Sequence, residues 1–321
     1  MTDSVHAMEG VHFFDHSEWE QLGERYHDQF VAARPFPHVV IDDVLPEAVL
    51  DQVVAELPGP EEWHRHDDWN NADRADAVKL SIPNDWDLGP HTRHLLNQCN
   101  SAVFVHFLER LTGIDGLLPD PYYFGGGLHQ IERGGFLKIH ADFNVHHRLH
   151  VDRRLNALLY LNRDWQDEWG GHLELWDVGM ERAVERILPI FNRLVVFATT
   201  DTSFHGHPDP LTCPVDVRRR SLALYYYTNG RPEHEQSAPH STLHQVRPGE
   251  DFDPHPAPPA DAASEAPPRA GPSTADPSGD PVPDSAVVGT RPRRPPPLTW
   301  RDFVPPVAGR VKRALVRRTR S

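Results

Sequence analysis

The first third of the chain carries the hydrophobic pattern of helices with one short strand among them. Apolar residues recur every three or four positions in several stretches, which is the period of an amphipathic helix. The predicted helices cover 18–33, 46–57 and 97–112. The apolar run 37–41 predicts a strand, and the polar stretch 61–87 predicts a loop. This part of the chain is therefore expected to support a core that lies further along.

From about residue 121 the period of the pattern changes to two, which is typical of β-strands. Strands are predicted at 136–143, 193–199 and 221–228. The first of them contains His140 and Asp142. Residues two apart in a strand project to the same side, so both side chains are expected to face one way.

His140, Asp142 and His205 form a candidate metal site. Two imidazoles and one carboxylate on one face of a metal leave the opposite face open, which is the ligand set of non-heme Fe(II) oxygenases. The chain has 22 histidines, so a His-x-Asp pair alone is weak, and the strand pattern and the distal histidine strengthen it. His207 is the alternative to His205, because both would face the same way in an extended segment and Gly206 permits more than one local path.

Three consecutive arginines, Arg218, Arg219 and Arg220, stand directly before the last predicted strand. A guanidinium stays charged and offers a planar fork of donors, so it can bind a carboxylate in a buried site. Strand alternation places Arg218 and Arg220 on the face opposite Arg219. Only one face of the triplet can therefore supply such an anchor.

Between about Tyr122 and Thr228 a series of short motifs resembles the 2-oxoglutarate and Fe(II)-dependent oxygenases, specifically their prolyl-hydroxylase-like branch. Each motif is weak by itself, and their order and separations make the resemblance specific. The matching motifs are Gly125-Gly126-Gly127-Leu128-His129, His140-x-Asp142, Leu158–Asn162, Gly170–Leu175, Asn192–Phe197, His205-Gly206-His207 and Arg219-x-Ser221.

The resemblance implies a mainly β fold with supporting α-helices, on a double-stranded β-helix core of the jelly-roll or cupin-like type. It implies that His140, Asp142 and His205 hold iron, with His205 favoured over His207. It also implies that Arg219 binds the distal carboxylate of 2-oxoglutarate and that Tyr160 places its hydroxyl on the same carboxylate. Fe(II) is thus the expected metal, 2-oxoglutarate and O₂ are the expected cosubstrates, and ascorbate is a candidate additional cofactor.

The implied activity is that of a dioxygenase that hydroxylates an unactivated C–H bond and releases succinate and CO₂. Relatives that transfer halide replace the metal carboxylate with a small residue, whereas this chain keeps Asp142. Hydroxylation, or a related oxidation such as desaturation, is therefore favoured over halogenation. The expected partner is a small-molecule or peptide substrate, such as a prolyl residue or another amino acid. The alternative is a non-catalytic jelly-roll module that binds metal or another protein.

The formal net charge is −15 at pH 7, which disfavours nucleic acid as a partner because phosphates would be repelled over most of the surface. The two cysteines, Cys99 and Cys213, support neither a disulfide framework nor a structural zinc site. The sequence shows no secretory signal and no apolar run of bilayer length, so a cytoplasmic location is expected.

The expected domain organisation is an oxygenase domain at 1–230, with helical support at about 1–115 and a catalytic β-core at about 121–230. The segment 231–297 is rich in Pro, Ala and Ser, which predicts a disordered linker because such a composition buries little apolar surface. The tail at 298–321 is locally basic, and two interpretations of it stay open: a loosely docked or frayed tail, or peripheral contact with an anionic membrane or an acidic partner.

Overall fold

The computed structural model describes residues 12–57, 82 and 86–250 in full, and the backbone alone at 64–65, 79–81 and 85. Most of the polar stretch predicted as a loop therefore lies outside the described residues, as do the linker from 251 onward and the basic tail at 298–321. Within the described part, no helix combines the length and the apolar character needed to cross a membrane.

Four α-helices are described, and all precede the catalytic motifs. They are α1 His16–Ala32, α2 Glu47–Ala55, α3 Pro90–Cys99 and α4 Ala102–Thr112. Helix α1 begins where the Asp15 side chain accepts a hydrogen bond from the backbone of Glu18 at 3.0 Å. The single helix predicted at 97–112 is wrong at its start, because extended backbone at Ser101 separates α3 from α4 (φ −74°, ψ 160°).

Thirteen β-strands and three one-turn 3₁₀-helices, at Asp85–Asp87, Asp167–Trp169 and Glu233–Glu235, make up the rest of the regular structure of the described residues. In chain order the strands are β1 His38–Asp42, β2 His64–Arg65, β3 Lys79–Ile82, β4 Leu118–Pro119, β5 Gly127–Ile131, β6 Leu137–Ala141, β7 Asp152–Tyr160, β8 Leu173–Trp176, β9 Ala183–Ile187, β10 Arg193–Ala198, β11 His205–His207, β12 Arg219–Thr228 and β13 Leu243–His244. Strands β2 and β3 correct the prediction of a continuous loop at 61–87: β3 pairs with β5 and extends a sheet.

The strands form two antiparallel sheets, and the chain alternates between them. The larger sheet has the order β1-β10-β7-β12-β5-β3-β2, with β4 also paired to β12, and the smaller has the order β13-β6-β11-β8-β9. From β5 to β12 the chain passes to the other sheet at every step except from β8 to β9. This winding of eight strands through two facing sheets is a double-stranded β-helix, so the predicted fold class is confirmed.

Strand β12 shows how the two faces of the larger sheet differ. Leu222, Leu224 and Tyr226 pack into the apolar core that also contains residues of the helices, and the Tyr226 hydroxyl donates to the Cys99 carbonyl at 2.9 Å. Ser221, Ala223 and Tyr225 instead line a cavity on the opposite face. Alternation along one strand thus separates the structural core from the candidate site.

Residues 231–250, which we call the C-terminal strap, pack on the β-core. Strand β13 pairs with β6, so that His244 lies opposite His140. Buried Arg231 donates to the carbonyls of Arg153 and Thr199, and Lys138 pairs with Glu250 at 2.6 Å. The domain boundary predicted at 230 is therefore wrong, as is the predicted disorder of 231–250. The averaged composition of 231–297 concealed a short segment whose polar groups bond to the core.

We expect a chain that ends at Gly230 to be less stable than one that ends at Glu250. The shorter chain leaves the carbonyls of Arg153 and Thr199 without the guanidinium of Arg231, and charge-assisted hydrogen bonds contribute about 1.5–3 kcal/mol each. In a domain of this size that loss lowers the Tm by about 5 °C or more. Thermal unfolding followed by circular dichroism measures the difference, and equal Tm values would show that the strap adds nothing to the fold.

Candidate active site

Three potential metal ligands meet between strands β6 and β11. Antiparallel pairing places His205 directly opposite His140, and Asp142 follows the last residue of β6. Nε2 of His140 lies 3.6 Å from Oδ1 of Asp142, and Nε2 of His205 lies 3.5 Å from Oδ2. The three ligand atoms lie within 4.8 Å of one another, and no other group of three or more possible ligands occurs in the described residues.

Hydrogen bonds orient both imidazoles for metal binding. Nδ1 of His140 lies 2.8 Å from the Lys138 carbonyl, and Nδ1 of His205 lies 2.9 Å from the Ser203 carbonyl. A carbonyl oxygen can only accept, so each Nδ1 carries the proton and each Nε2 keeps its lone pair. Burial lowers the pKa of His205 to about 4, which keeps this ring neutral. The donor set thus fits a divalent transition metal such as Fe(II).

Asp142 is held as a carboxylate by its neighbours. Its Oδ2 accepts from Arg153 Nη2 at 2.9 Å and from Asn156 Nδ2 at 2.8 Å. Burial would raise the pKa of Asp142, but Arg153 and the two histidines outweigh burial and hold the pKa well below its usual range. The site therefore presents two neutral nitrogens and one negative oxygen group.

Arg219 enters the same cavity from the first position of β12. Its side chain is buried, its Nε donates to the Gly171 carbonyl at 2.7 Å, and its Nη2 donates to the Tyr160 hydroxyl at 3.2 Å. Among the described residues no carboxylate lies within ion-pair distance of this guanidinium. A buried cation of this kind is suited to an anionic ligand.

The other two arginines of the triplet point away from the cavity, as alternation predicts. Arg218 contacts Glu132 at 3.3 Å, and Arg220 donates to Gln130 at 3.1 Å. Neither is among the residues that line the cavity.

Gly171 allows Arg219 to lie close to the neighbouring backbone. A Cβ at this glycine would lie 2.6 Å from Leu211 and 3.0 Å from the side chain of Arg219, and its φ of +72° also disfavours other residues.

Tyr160 is fully buried beside Arg219, and its hydroxyl accepts from the guanidinium. Burial raises the pKa of this phenol, so Tyr160 is neutral. Its side chain is not among those that line the cavity, and it therefore contacts Arg219 from outside the lining. The structure thus brings Tyr160 to Arg219, and the contact of its hydroxyl with the carboxylate of 2-oxoglutarate stays a prediction.

The cavity between the two sheets has a volume of about 390 Å³. It joins the three metal ligands to Arg219, with apolar residues such as Leu158 and Leu173 between the sheets. Aromatic side chains and residues of the C-terminal strap complete the lining; they include Phe124, Phe143, His147, Tyr225, His240, Ser241, Thr242 and His244.

Arg153, Asn156 and His244 are site residues that the sequence pattern did not predict. Arg153 belongs to a polar stretch of the sequence at 146–154, which is typical of a loop, but it is buried in β7. Arg153 pairs with Tyr227 while Leu155 pairs with Tyr226, so a β-bulge lies between them. The bulge changes the alternation, which is why residues three apart both face the cavity.

His207 is also buried and lines the cavity, but it pairs with Leu137 and is not part of the three-ligand group. An irregularity in the pairing lies between His205 and His207. Gly206 stands there because a Cβ would come within 2.7 Å of the Leu137 carbonyl. The geometry therefore favours His205 as the distal ligand.

Residues 126–227 match the model of the 2OG-Fe(II) oxygenase superfamily. This segment contains His140, Asp142, His205 and Arg219, and it is a 2-oxoglutarate- and Fe(II)-dependent oxygenase domain. The resemblance predicted from the motifs is thereby confirmed. No curated protein matches the sequence.

Several solved structures are similar to this chain. A prolyl-4-hydroxylase from Pseudomonas putida is 19% identical with a TM-score of 0.45, over 65% of this chain and 100% of the other. A prolyl hydroxylase from Trichoplax adhaerens, in complex with a hypoxia inducible factor peptide fragment, is 16% identical with a TM-score of 0.45, over 66% and 91%. HygX from Streptomyces hygroscopicus, with nickel, 2-oxoglutarate and hygromycin B bound, is 13% identical with a TM-score of 0.42, over 65% and 93%.

We expect His205→Ala to abolish stoichiometric Fe(II) binding and His207→Ala to retain it. The first change removes one of three clustered ligand atoms, whereas the second removes a ring outside the cluster. Metal analysis of proteins loaded with Fe(II) under anaerobic conditions distinguishes the two variants. Full iron content in the His205 variant together with loss in the His207 variant would reassign the distal ligand.

We expect Arg219→Leu to weaken 2-oxoglutarate binding by about 10- to 100-fold, because a carboxylate would lose charge-assisted hydrogen bonds of about 1.5–3 kcal/mol each. Arg218→Leu and Arg220→Leu are matched controls on the other face of the strand and should bind almost as the unmodified protein does. Titration of 2-oxoglutarate into the iron-loaded variants measures the affinities. Unchanged affinity in the Arg219 variant would exclude it as the anchor.

Proposed function

We propose that this protein is an Fe(II)- and 2-oxoglutarate-dependent dioxygenase that hydroxylates a C–H bond of an amino acid or small molecule, with prolyl residues among the candidates. The observation that carries the proposal is that one cavity holds both the three-ligand group and a buried guanidinium with no carboxylate partner among the described residues. Those are the two attachment points that a metal-bound dicarboxylic oxo acid requires.

Each residue of the site has a separate task in this proposal. His140, Asp142 and His205 would hold Fe(II) through Nε2, a carboxylate oxygen and Nε2. Arg219 would bind the distal carboxylate of 2-oxoglutarate, and Tyr160 orients Arg219 through its hydroxyl. The metal and the oxo acid would supply the oxidising chemistry, and the protein supplies binding, orientation and exclusion of water.

The overall reaction is balanced without a further reactant. One oxygen atom of O₂ enters succinate as 2-oxoglutarate loses CO₂, and the other enters the C–H bond of the substrate as a hydroxyl group. Because Asp142 occupies the carboxylate position, the site lacks the vacancy that halide transfer needs. Hydroxylation is therefore the reaction we propose, with desaturation as the related alternative.

The lining of the cavity restricts the substrate. Asp142 is the single acidic residue among the described residues that line it, and Asp142 is already paired with Arg153. A cationic group such as an ammonium would find no free carboxylate in this lining, and burying an unpaired charge is costly. Aromatic side chains including Phe124, Phe143 and Tyr225 favour a neutral, partly apolar group. A prolyl ring meets these conditions.

Release of succinate tests the proposal directly. We expect the purified protein with Fe(II), 2-oxoglutarate and O₂ to form succinate, and to form it faster when a peptide or metabolite panel supplies its substrate. Arg219→Leu should reduce the rate of succinate release at a fixed 2-oxoglutarate concentration below saturation. Mass spectrometry should find a product heavier by one oxygen atom, labelled from ¹⁸O₂. Tight Fe(II) binding with no succinate from any mixture would instead favour the non-catalytic module.

Three expectations stay predictions: a requirement for ascorbate, a cytoplasmic location, and membrane contact of the tail at 298–321. Omission of ascorbate from the succinate assay tests the first. Sedimentation of the protein with anionic vesicles, with and without the tail, tests the last.

A further inference from the structure

We propose that Arg153 is a positioning residue that restricts Asp142 to one metal-binding oxygen. The inference rests on the proposed function, since it concerns how the candidate metal site is kept open for 2-oxoglutarate. It assigns a role to a buried cation that neither binds the oxo acid nor belongs to the three-ligand group.

The two oxygens of Asp142 have different surroundings. Oδ2 accepts from Arg153 at 2.9 Å and from Asn156 at 2.8 Å, so both of its lone-pair directions are occupied by donors. Each oxygen also faces one histidine: Oδ1 lies 3.6 Å from Nε2 of His140, and Oδ2 lies 3.5 Å from Nε2 of His205. A metal bound between the histidines would therefore find Oδ1 more available than Oδ2, which already accepts from two donors.

The number of protein ligands decides how much of the metal remains open. Two imidazoles and a one-oxygen carboxylate leave half of an octahedral coordination sphere free. A carboxylate that bound through both oxygens would take one of these positions, and a 2-oxo acid that chelates the metal would compete with it. Engaging Oδ2 in hydrogen bonds to Arg153 and Asn156 thus keeps space for the cosubstrate.

Polar groups and two aromatic rings hold the guanidinium of Arg153 in place. Its Nε and Nη2 both donate to Oδ1 of Asn156, at 3.0 and 2.7 Å. Its central carbon lies 3.5 Å from the centre of the Tyr225 ring and 4.5 Å from that of Phe143. With 1% of its surface exposed, Arg153 has little freedom to leave Asp142.

Fold stability alone gives a weaker account of this pair. Burying two charges is costly, and well-packed apolar side chains often stabilise a core as well as a buried ion pair does. A stabilising role also gives no reason for Asn156 to contact both Arg153 and Asp142. Control of the orientation of a carboxylate accounts for all three side chains.

The test separates metal binding from 2-oxoglutarate binding in Arg153→Gln. Loaded with Co(II), this variant should bind the metal at least as tightly as the unmodified protein, because a second oxygen becomes available. Its affinity for 2-oxoglutarate should fall by about tenfold or more although Arg219 is intact, because the second oxygen of Asp142 would compete with the oxo acid for a coordination position. The visible spectrum of bound Co(II) should change before 2-oxoglutarate is added, which reports altered coordination.

Arg154→Gln is the matched control, because Arg154 is the next residue of β7 and pairs with Glu235 at 3.3 Å, away from Asp142. It should change none of the three measurements. Arg153→Lys keeps the charge and should recover part of the lost affinity. If Arg153→Gln does not fold, Asn156→Ala removes the other donor to Oδ2 and should show the same separation of effects.

Failure of the inference and failure of the proposed function give different results. A wild-type protein that binds neither Co(II) nor 2-oxoglutarate contradicts the proposed function. A wild-type protein that binds both, with an Arg153 or Asn156 variant of unchanged 2-oxoglutarate affinity and spectrum, overturns the role of Arg153 alone. Loss of the metal from the folded Arg153→Gln variant would also overturn it.

Discussion

The antiparallel pairing of β6 with β11 is the constraint on which the site depends. It places His140 opposite His205, and the residue that directly follows β6 adds the carboxylate of Asp142. Backbone hydrogen bonds of the sheet thereby hold ligands that are 65 positions apart in the sequence. A shift of one residue in this register would turn one imidazole to the other face of the sheet. The rest of the double-stranded β-helix keeps these two strands in place.

The second requirement is that charges buried in the cavity are matched. Asp142 is paired with Arg153, and the guanidinium of Arg219 has only neutral hydrogen-bond partners among the described residues. An anionic cosubstrate would give Arg219 a charged partner and leave the Asp142–Arg153 pair intact. In the surrounding lining the apolar side chains lower the local dielectric, which strengthens both interactions. The site can therefore bind a dicarboxylic oxo acid without an acidic residue that competes for the anchor.

The C-terminal strap contacts both the edge of the smaller sheet and the backbone of Arg153, which pairs with Asp142. It adds His244 beside His140 through β13, and Arg231 bonds to the backbone carbonyl of Arg153. The aromatic centres of His244 and His140 lie 5.7 Å apart. A segment that begins after the last strand of the β-helix thus forms part of the cavity wall, and the structural unit extends at least to Glu250.

Residue order alone was enough to predict the candidate ligands, the strand pattern and the candidate anchor. The period of two around His140 and Asp142, the His205 motif and the alternation that separates Arg219 from its neighbours are local properties, and local properties can be read from residue order. The presence of Arg153, Asn156 and His244 in the cavity wall, by contrast, depends on contacts between strands that are distant in the sequence. A bulge in β7 brings Arg153 to the same face as Asn156, and His244 arrives through pairing of a two-residue strand in a polar, Pro-containing segment. Such pairings depend on which strands become neighbours in space, and no periodic pattern of the chain carries that information.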